Sequence, residues 1–244
     1  MMKKKKAGRI ALCVALALAA EVAACAAYIS DYYRADASVR ACLSGGGSVT
    51  ASQTATGLFL DGPGTDAALI FYPGAKVEYT AYAPLLSALA ADGVDCFLEK
   101  MPGNLAIFGK GRAEKVMRTW DYDRWYLAGH SLGGAMAADW AAAHPEALAG
   151  LVLLAAYPTK PLPEGLAVLE LYGSEDGVLD REKRDAGDAY LPEGAVVQVL
   201  EGGNHAQFGD YGPQKGDGAA AVSRQEQQSW TAAQIEAWLS DGRD

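Results

Sequence analysis

Histidine is scarce in this chain, with three in 244 residues. Any chemistry that needs an imidazole must choose among His130, His144 and His205. Cysteine is almost as rare, at four. Cys13 and Cys25 fall in an apolar N-terminal run, so Cys42 and Cys96 remain, and a disulfide between them is allowed outside the cell. Cys96 sits in a strand-like stretch and reads as a core thiol. There is no zinc-ligand spacing and no dinucleotide-binding glycine fingerprint, so neither a metal nor another cofactor is expected. Basic residues are outnumbered, 21 against 30, for a net charge of −9. Such a surface repels nucleic acid and anionic lipid. No internal repeat appears, and no linker separates two cores.

One long hydrophobic run is present. Lys3, Lys4, Lys5, Lys6 and Arg9 precede an apolar stretch from about Ile10 to Ile29. A run of this length can span a bilayer, although Glu21 is unfavourable within it. The basic cluster belongs on the cytoplasmic side, which leaves the rest of the chain facing outward. Three readings stand. An uncleaved anchor is favoured, because no polar cleavage region follows the run. Small residues at Ala20, Ala23 and Ala24 also permit a cleaved signal peptide. Val22-Ala23-Ala24-Cys25 is similar to a bacterial lipobox, although Glu21 argues against it. The expected location is therefore membrane-anchored with an extracytoplasmic domain, or secreted. The expected organisation is an anchor or signal over 1–30, a juxtamembrane helix and glycine linker over 31–47, and one folded domain over 48–244.

Within that domain, buried strands alternate with helices. Two short strands near 48–51 and 57–60 lead into apolar strands at Ala67–Tyr72, Val94–Leu98, Arg124–Ala128, Leu151–Ala155, Ala167–Tyr172 and Ala195–Leu200. Helical spacing marks Tyr82, Leu85, Leu86 and Leu89, a short stretch near 113–119, and the segment from Ser131 to His144. Ser223 and Glu226 are spaced as a capping box for a last helix, whose core face is expected at Trp230, Ala233, Ala237 and Trp238. The alternation implies an α/β fold with a mostly parallel central sheet and helices on both faces.

The chemistry gathers around Gly129-His130-Ser131-Leu132-Gly133, which follows a strand and opens a helix. Gly-x-Ser-x-Gly in that context presents Ser131 as a nucleophile on a sharp strand-to-helix turn. A serine hydroxyl needs a base to take its proton and a carboxylate to orient that base. His130 should project away from the turn, and His144 ends the following helix. His205 lies on a loop after the last strand and is the expected base. The loop Gly173–Gly177 follows a strand and carries Asp176, the expected acid, with Glu175 as its rival and Asp180 as a weaker one. The oxyanion needs two N–H donors. Leu132 heads the helix after the nucleophile, and Ala75 lies in the loop after Tyr72-Pro73-Gly74. The glycine-rich run Gly209–Gly218 contains Asp210 and Asp217, without the ordered spacing of a calcium site.

These segments resemble the alpha/beta-hydrolase superfamily over about residues 48–240. The likeness is to small bacterial members with a Tyr-Pro-Gly-x-Lys-Val strand end and an Asn-His-Ala-Gln-Phe-Gly-x-Tyr-Gly histidine loop. Here these read Tyr72-Pro73-Gly74-Ala75-Lys76-Val77 and Asn204-His205-Ala206-Gln207-Phe208-Gly209-Asp210-Tyr211-Gly212. The resemblance implies the sheet order, a Ser-Asp-His triad and serine hydrolase activity on a small ester-type substrate. Pro73-Gly74-Ala75 departs from the family's usual His-Gly-x at the first oxyanion position. Only Ala156–Leu166 lies where many relatives insert a helical lid, so no lid domain is expected. The roof should come from the 100–112 loop and the histidine loop. The alternative is a catalytically silent hydrolase fold that binds a ligand at the cell envelope.

Overall fold

The computed structural model describes residues 2–241, with side chains described from 12 to 240. The side chains of the basic cluster, Lys3 to Lys6 and Arg9, and the last residues of the 48–244 domain, 242–244, therefore lie outside the described residues. The chain divides into two units, Met1–Tyr32 and Tyr33–Asp244. The first is one helix, α1 (Met2–Ser30). Its Leu12–Ser30 part is long and apolar enough to cross a membrane, and none of it is buried within the structure.

The second unit is an eight-stranded sheet with helices on both faces. In chain order its strands are β1 (Thr50–Gln53), β2 (Gly57–Asp61), β3 (Ala67–Tyr72), β4 (Asp95–Glu99), β5 (Arg124–His130), β6 (Gly150–Leu154), β7 (Ala167–Gly173) and β8 (Val196–Leu200). The spatial order is β1-β2-β4-β3-β5-β6-β7-β8. β1 and β2 form a hairpin that pairs antiparallel with β4, and every other neighbouring pair is parallel. The central strands explain their own placement. All six residues of β3, Ala-Ala-Leu-Ile-Phe-Tyr, are buried, as a strand covered on both faces requires. Leu69 and Phe71 enter one core layer, while Ala68, Ile70 and Tyr72 enter the other.

Helices α2 (Ala83–Ala91) and α6 (Arg224–Asp241) cover the first layer through Leu85, Leu86, Leu89, Ala232, Ile235 and Leu239. Helices α3 (Arg112–Met117) and α4 (Leu132–Ala143) cover the second. Helix α5 (Arg181–Gly187) follows β7, and Arg184 forms a buried ion pair with Glu170 of that strand at 2.6 Å.

The capping box of α6 forms as expected. Ser223 N–H donates to Glu226 Oε2, and Glu226 N–H donates to Ser223 Oγ. The core face of α6 differs from expectation. Ala233 and Ala237 are exposed, and Gln227, Thr231, Ile235 and Leu239 face inward. The two tryptophans only partly cover the core, so the i, i+4 row between them sets the helix's rotation. The stretch over 31–47 also differs. A 3-10 helix occupies only Ala37–Ser44, and Tyr33 forms an isolated parallel bridge with Val77. Gly46 pairs with Val49 in a tight turn. Cys42 and Cys96 are free thiols, with Cys96 buried.

Candidate active site

The six parallel strands end at one edge of the sheet, and the loops there carry the candidate residues. Ser131 sits between β5 and α4 with φ 52° and ψ −123°. A non-glycine residue in that region is strained and persists only where its surroundings fix it. The surroundings are backbone. A Cβ on Gly129 would lie 2.5 Å from Gly133 C, and one on Gly133 would lie 2.1 Å from Tyr72 O and 2.4 Å from Pro73 O. Both positions need glycine so that the turn can close and the first turn of α4 can abut the 72–75 loop. Ser131 N–H donates to Leu154 O, which fixes the turn to β6.

His205 and Asp176 lie side by side, both buried, with His205 Nδ1 2.8 Å from Asp176 Oδ2. The other carboxylate oxygen of Asp176, Oδ1, accepts from Val178 N–H at 2.9 Å and Leu179 N–H at 2.7 Å. One side chain thus caps its own turn and faces the imidazole. The rivals are occupied elsewhere. Glu175 is exposed and bonded to Ser174, and Asp180 caps α5 through Lys183 N–H. His205 Nε2 is buried and has no hydrogen-bond partner.

Ser131, Leu132 and His205 line one cavity of about 200 Å³. Its other walls are Ala135, the Ala155–Tyr157 turn with Thr159, and Val178–Asp180. The 100–112 loop, expected to roof the site, does not line it. The short β6–β7 connection and the acid loop form the walls, because β6 is the neighbour of β5 and β7 the next strand along the same edge. Leu132 heads α4, whose first backbone bond runs from Ala135 N–H to Ser131 O. Its own N–H is therefore one of the open donors at a helix start. Ala75 lies in the adjoining loop and is not a lining residue.

His130 is not among the residues that line the cavity, yet it lies against His205. Its ring lies 4.5 Å from that of His205, and its Nδ1 is 2.8 Å from Tyr82 Oη. Tyr82 Oη also accepts from Gly74 N–H at 3.1 Å, so its own proton goes to His130 Nδ1. Burial, followed by the proximity of His205, holds the His130 pKa well below the usual imidazole range and keeps the ring neutral. His144 stacks on Trp140 and bonds that residue's carbonyl, outside the site.

Asp217 was not expected to matter. Its Oδ1 accepts from the N–H groups of Gly177, His205 and Gly218, and its Oδ2 accepts from Ala206 N–H. One carboxylate thus joins the acid loop to the histidine loop. Gln227 completes the support, because its amide both donates to Asn204 O and accepts from Asn204 N–H. Among the described residues, no group of three or more His, Cys, Asp or Glu side chains gathers as a metal site.

Known structures share this architecture. A dienelactone hydrolase from Anabaena variabilis superposes with a TM-score of 0.60 at 13% identity, covering 80% of this chain and 99% of that one. A membrane phospholipase A described as a bacterial virulence factor gives 0.61 at 16% identity, covering 98% and 99%. The carboxylesterase CesB of Bacillus subtilis gives 0.55 at 11% identity, covering 81% and 94%. No curated protein sequence matches the chain. The family model described as "Alpha/beta hydrolase family" matches residues 68–229, from β3 into α6. With the nucleophile turn, the sheet order and that match in hand, the chain belongs to the alpha/beta hydrolase family.

Proposed function

We propose that this protein is a serine hydrolase that cleaves a carboxylic ester of modest size through Ser131, His205 and Asp176. The observation that carries the reading is the state of His205. Its Nδ1 bonds Asp176, its Nε2 is buried and unpartnered, and the residue lines the same cavity as Ser131. A buried nitrogen without a partner is unfavourable, and a role as proton acceptor gives a reason for it. The bond between Ser131 Oγ and His205 Nε2 that this role needs is of a kind that often tightens only with substrate bound.

In this mechanism Ser131 Oγ attacks the ester carbonyl as His205 Nε2 takes its proton. Asp176 keeps the Nδ1–H tautomer and stabilises the imidazolium. The N–H groups of Leu132 and Ala75 receive the developing oxyanion. The imidazolium then protonates the departing alcohol, leaving an acyl-enzyme. Water, deprotonated by His205, releases the acid and restores the serine. The small apolar walls at Ala135, Ala155, Ala156, Val178 and Leu179 suit a short neutral acyl group. Helix α1 anchors the protein, with the catalytic unit outside the cytoplasm.

The test is labelling by a fluorophosphonate probe beside turnover of short p-nitrophenyl esters. The wild-type chain should label and hydrolyse, and Ser131→Ala should do neither, with turnover down by about 10⁴-fold or more. Equal labelling of both proteins would refute the assignment. A wild-type chain inert towards every ester tried would favour a silent binding protein.

A further inference from the structure

Two loops carry the proposed oxyanion donor and base, and they lie far apart in sequence: 73–78 and 203–218. A third piece of chain, Tyr33–Asp36, is bonded to both. Tyr33 N–H donates to Lys76 O at 2.7 Å, and Tyr33 O accepts from Glu78 N–H at 2.9 Å. Ala35 N–H donates to the Glu78 carboxylate. On the other side, Asp36 N–H donates to Asp210 O at 2.8 Å, and Arg224 bridges the carboxylates of Asp36 and Asp210. Tyr33 Oη accepts from Lys215 N–H at 3.0 Å, and its ring lies 5.7 Å from that of Tyr211.

The loop needs this support. Lys76 has φ 56°, and Asn104, whose carbonyl accepts from Lys76 N–H, has φ 55°. Two non-glycine residues in the left-handed region persist only where bonds on several sides fix them. Tyr33 supplies the bonds at Lys76 O and Glu78 N–H, immediately after Ala75. Releasing them lets the 75–77 backbone relax, and the Ala75 N–H turns with it. The same residue packs on Tyr211, whose ring lies 6.4 Å from Tyr82, the partner of Gly74 N–H and His130.

We infer that Tyr33–Asp36 is a positioning strap that sets the oxyanion loop against the histidine loop, with Tyr33 as its principal positioning residue. This rests on the hydrolase reading above. The segment that begins three residues beyond α1 is thus part of the catalytic unit rather than a spacer. Tyr33 acts through Ala75 and His205 and does not itself touch substrate.

The experiment compares the full-length chain in detergent with Tyr33→Ala, Tyr33→Phe, Asp36→Ala and Val39→Ala. Turnover of a p-nitrophenyl ester is normalised to active sites counted with the fluorophosphonate probe. Tyr33→Ala keeps the backbone bonds to Lys76 and Glu78 but removes the ring from Tyr211 and the Oη acceptor of Lys215 N–H, which loosens the strap against the histidine loop. It should lower kcat per active site about tenfold with KM little changed, because a small misplacement of the groups that act in the transition state affects the chemical step. Tyr33→Phe keeps the ring on Tyr211 and should recover most of that loss. Asp36→Ala removes a half-buried carboxylate and no core volume, so it folds even if Tyr33→Ala does not, and should lose about threefold. Val39→Ala removes buried core volume just beyond the strap and should lower stability while leaving kcat per active site unchanged. Fewer active sites at an unchanged kcat in Tyr33→Ala and Asp36→Ala, or an equal kcat loss in Val39→Ala, would overturn the strap. If the wild type neither labels nor hydrolyses, the hydrolase reading itself fails and the strap falls with it.

Discussion

The turn at Ser131 is held by backbone against backbone, whereas the loop at His205 is held by side chains that arrive from distant parts of the chain. Around the serine, glycines let β5 and α4 approach the 72–73 backbone to distances that no Cβ allows. Around the histidine, Asp217 gathers four N–H groups from two loops, and Gln227 reaches from α6 to both backbone groups of Asn204. The first kind of support is steric and stiff. The second is polar, spread over 177–227, and loses its parts one at a time.

That contrast can be broken most sharply by adding one methyl group on each side. In Gly133→Ala the new Cβ meets backbone oxygens that cannot move, so the loss should be about 3 kcal/mol, at the top of the overpacking range, with ester turnover abolished. In Gly203→Ala the nearest atoms belong to the side chains of Leu200 and Gln227, which can shift, and the loss should be about 1 kcal/mol. Denaturant unfolding of the two variants measures the difference. Similar losses would mean that the two sides are held alike.

A smaller effect on turnover is expected at Asp217. Asp217→Ala leaves four N–H groups without their carboxylate and should cost about 2 kcal/mol. The loosened histidine loop should lower kcat about tenfold. Asp217→Asn keeps one acceptor oxygen and should fall between the two. If kcat per active site is unchanged in Asp217→Ala, the clamp supports stability alone.

The smallest effect on turnover is expected at Glu99, a buried group at the end of β4 that belongs to neither side. Burial, partly offset by the Thr56 hydroxyl, pushes its carboxyl up to about 7. Its folded pKa lies above its unfolded one, so its share of the stability is complete below about pH 4.5. That share is lost as pH rises through about 7, where the ionised form is disfavoured. Glu99→Gln should flatten this slope and stabilise the protein at pH 8 by on the order of 1–2 kcal/mol, with kcat unchanged. Thermal unfolding at pH 5 and pH 8 reads the difference, and an unaltered slope would place the titration elsewhere.

Periodicity and composition made most of the fold legible. The alternation of β and α segments, the fully apolar β3 and the capping box of α6 all reflect forces that act within a few residues. The rotation of α6 was misread because two large tryptophans outweighed the quieter row of Gln227, Thr231, Ile235 and Leu239, whose inward direction depends on what the helix packs against. At the candidate site, Gly129 and Gly133 announce a tight turn from sequence, since only the absent Cβ permits it. The scarcity of histidine reduced the search for a base to a choice among a strand end, a helix end and a loop.

Asp217 carried no comparable mark. It lies in a glycine-rich run where an aspartate could equally cap a turn or face solvent. Its four donors come from residues 177, 205, 206 and 218, and nothing local specifies them. His130 showed the same gap, since its place in the motif says that it leaves the serine's side but not that it comes to rest behind His205. Tyr33 looked like part of a spacer for the same reason.

What the sequence determined by itself was the order of the elements, the nature of the turn that carries Ser131 and the small set of groups able to act as base and acid. Each of these follows from the size and periodicity of neighbouring side chains. Only the tertiary structure decided which carboxylate faces His205, which one clamps the loops, and that the chain after α1 ties two of them together. Those outcomes depend on backbone groups many residues apart being brought within 3 Å or so of one another, and hydrogen bonding at that range is decided by how the packed sheet and helices deliver their loops.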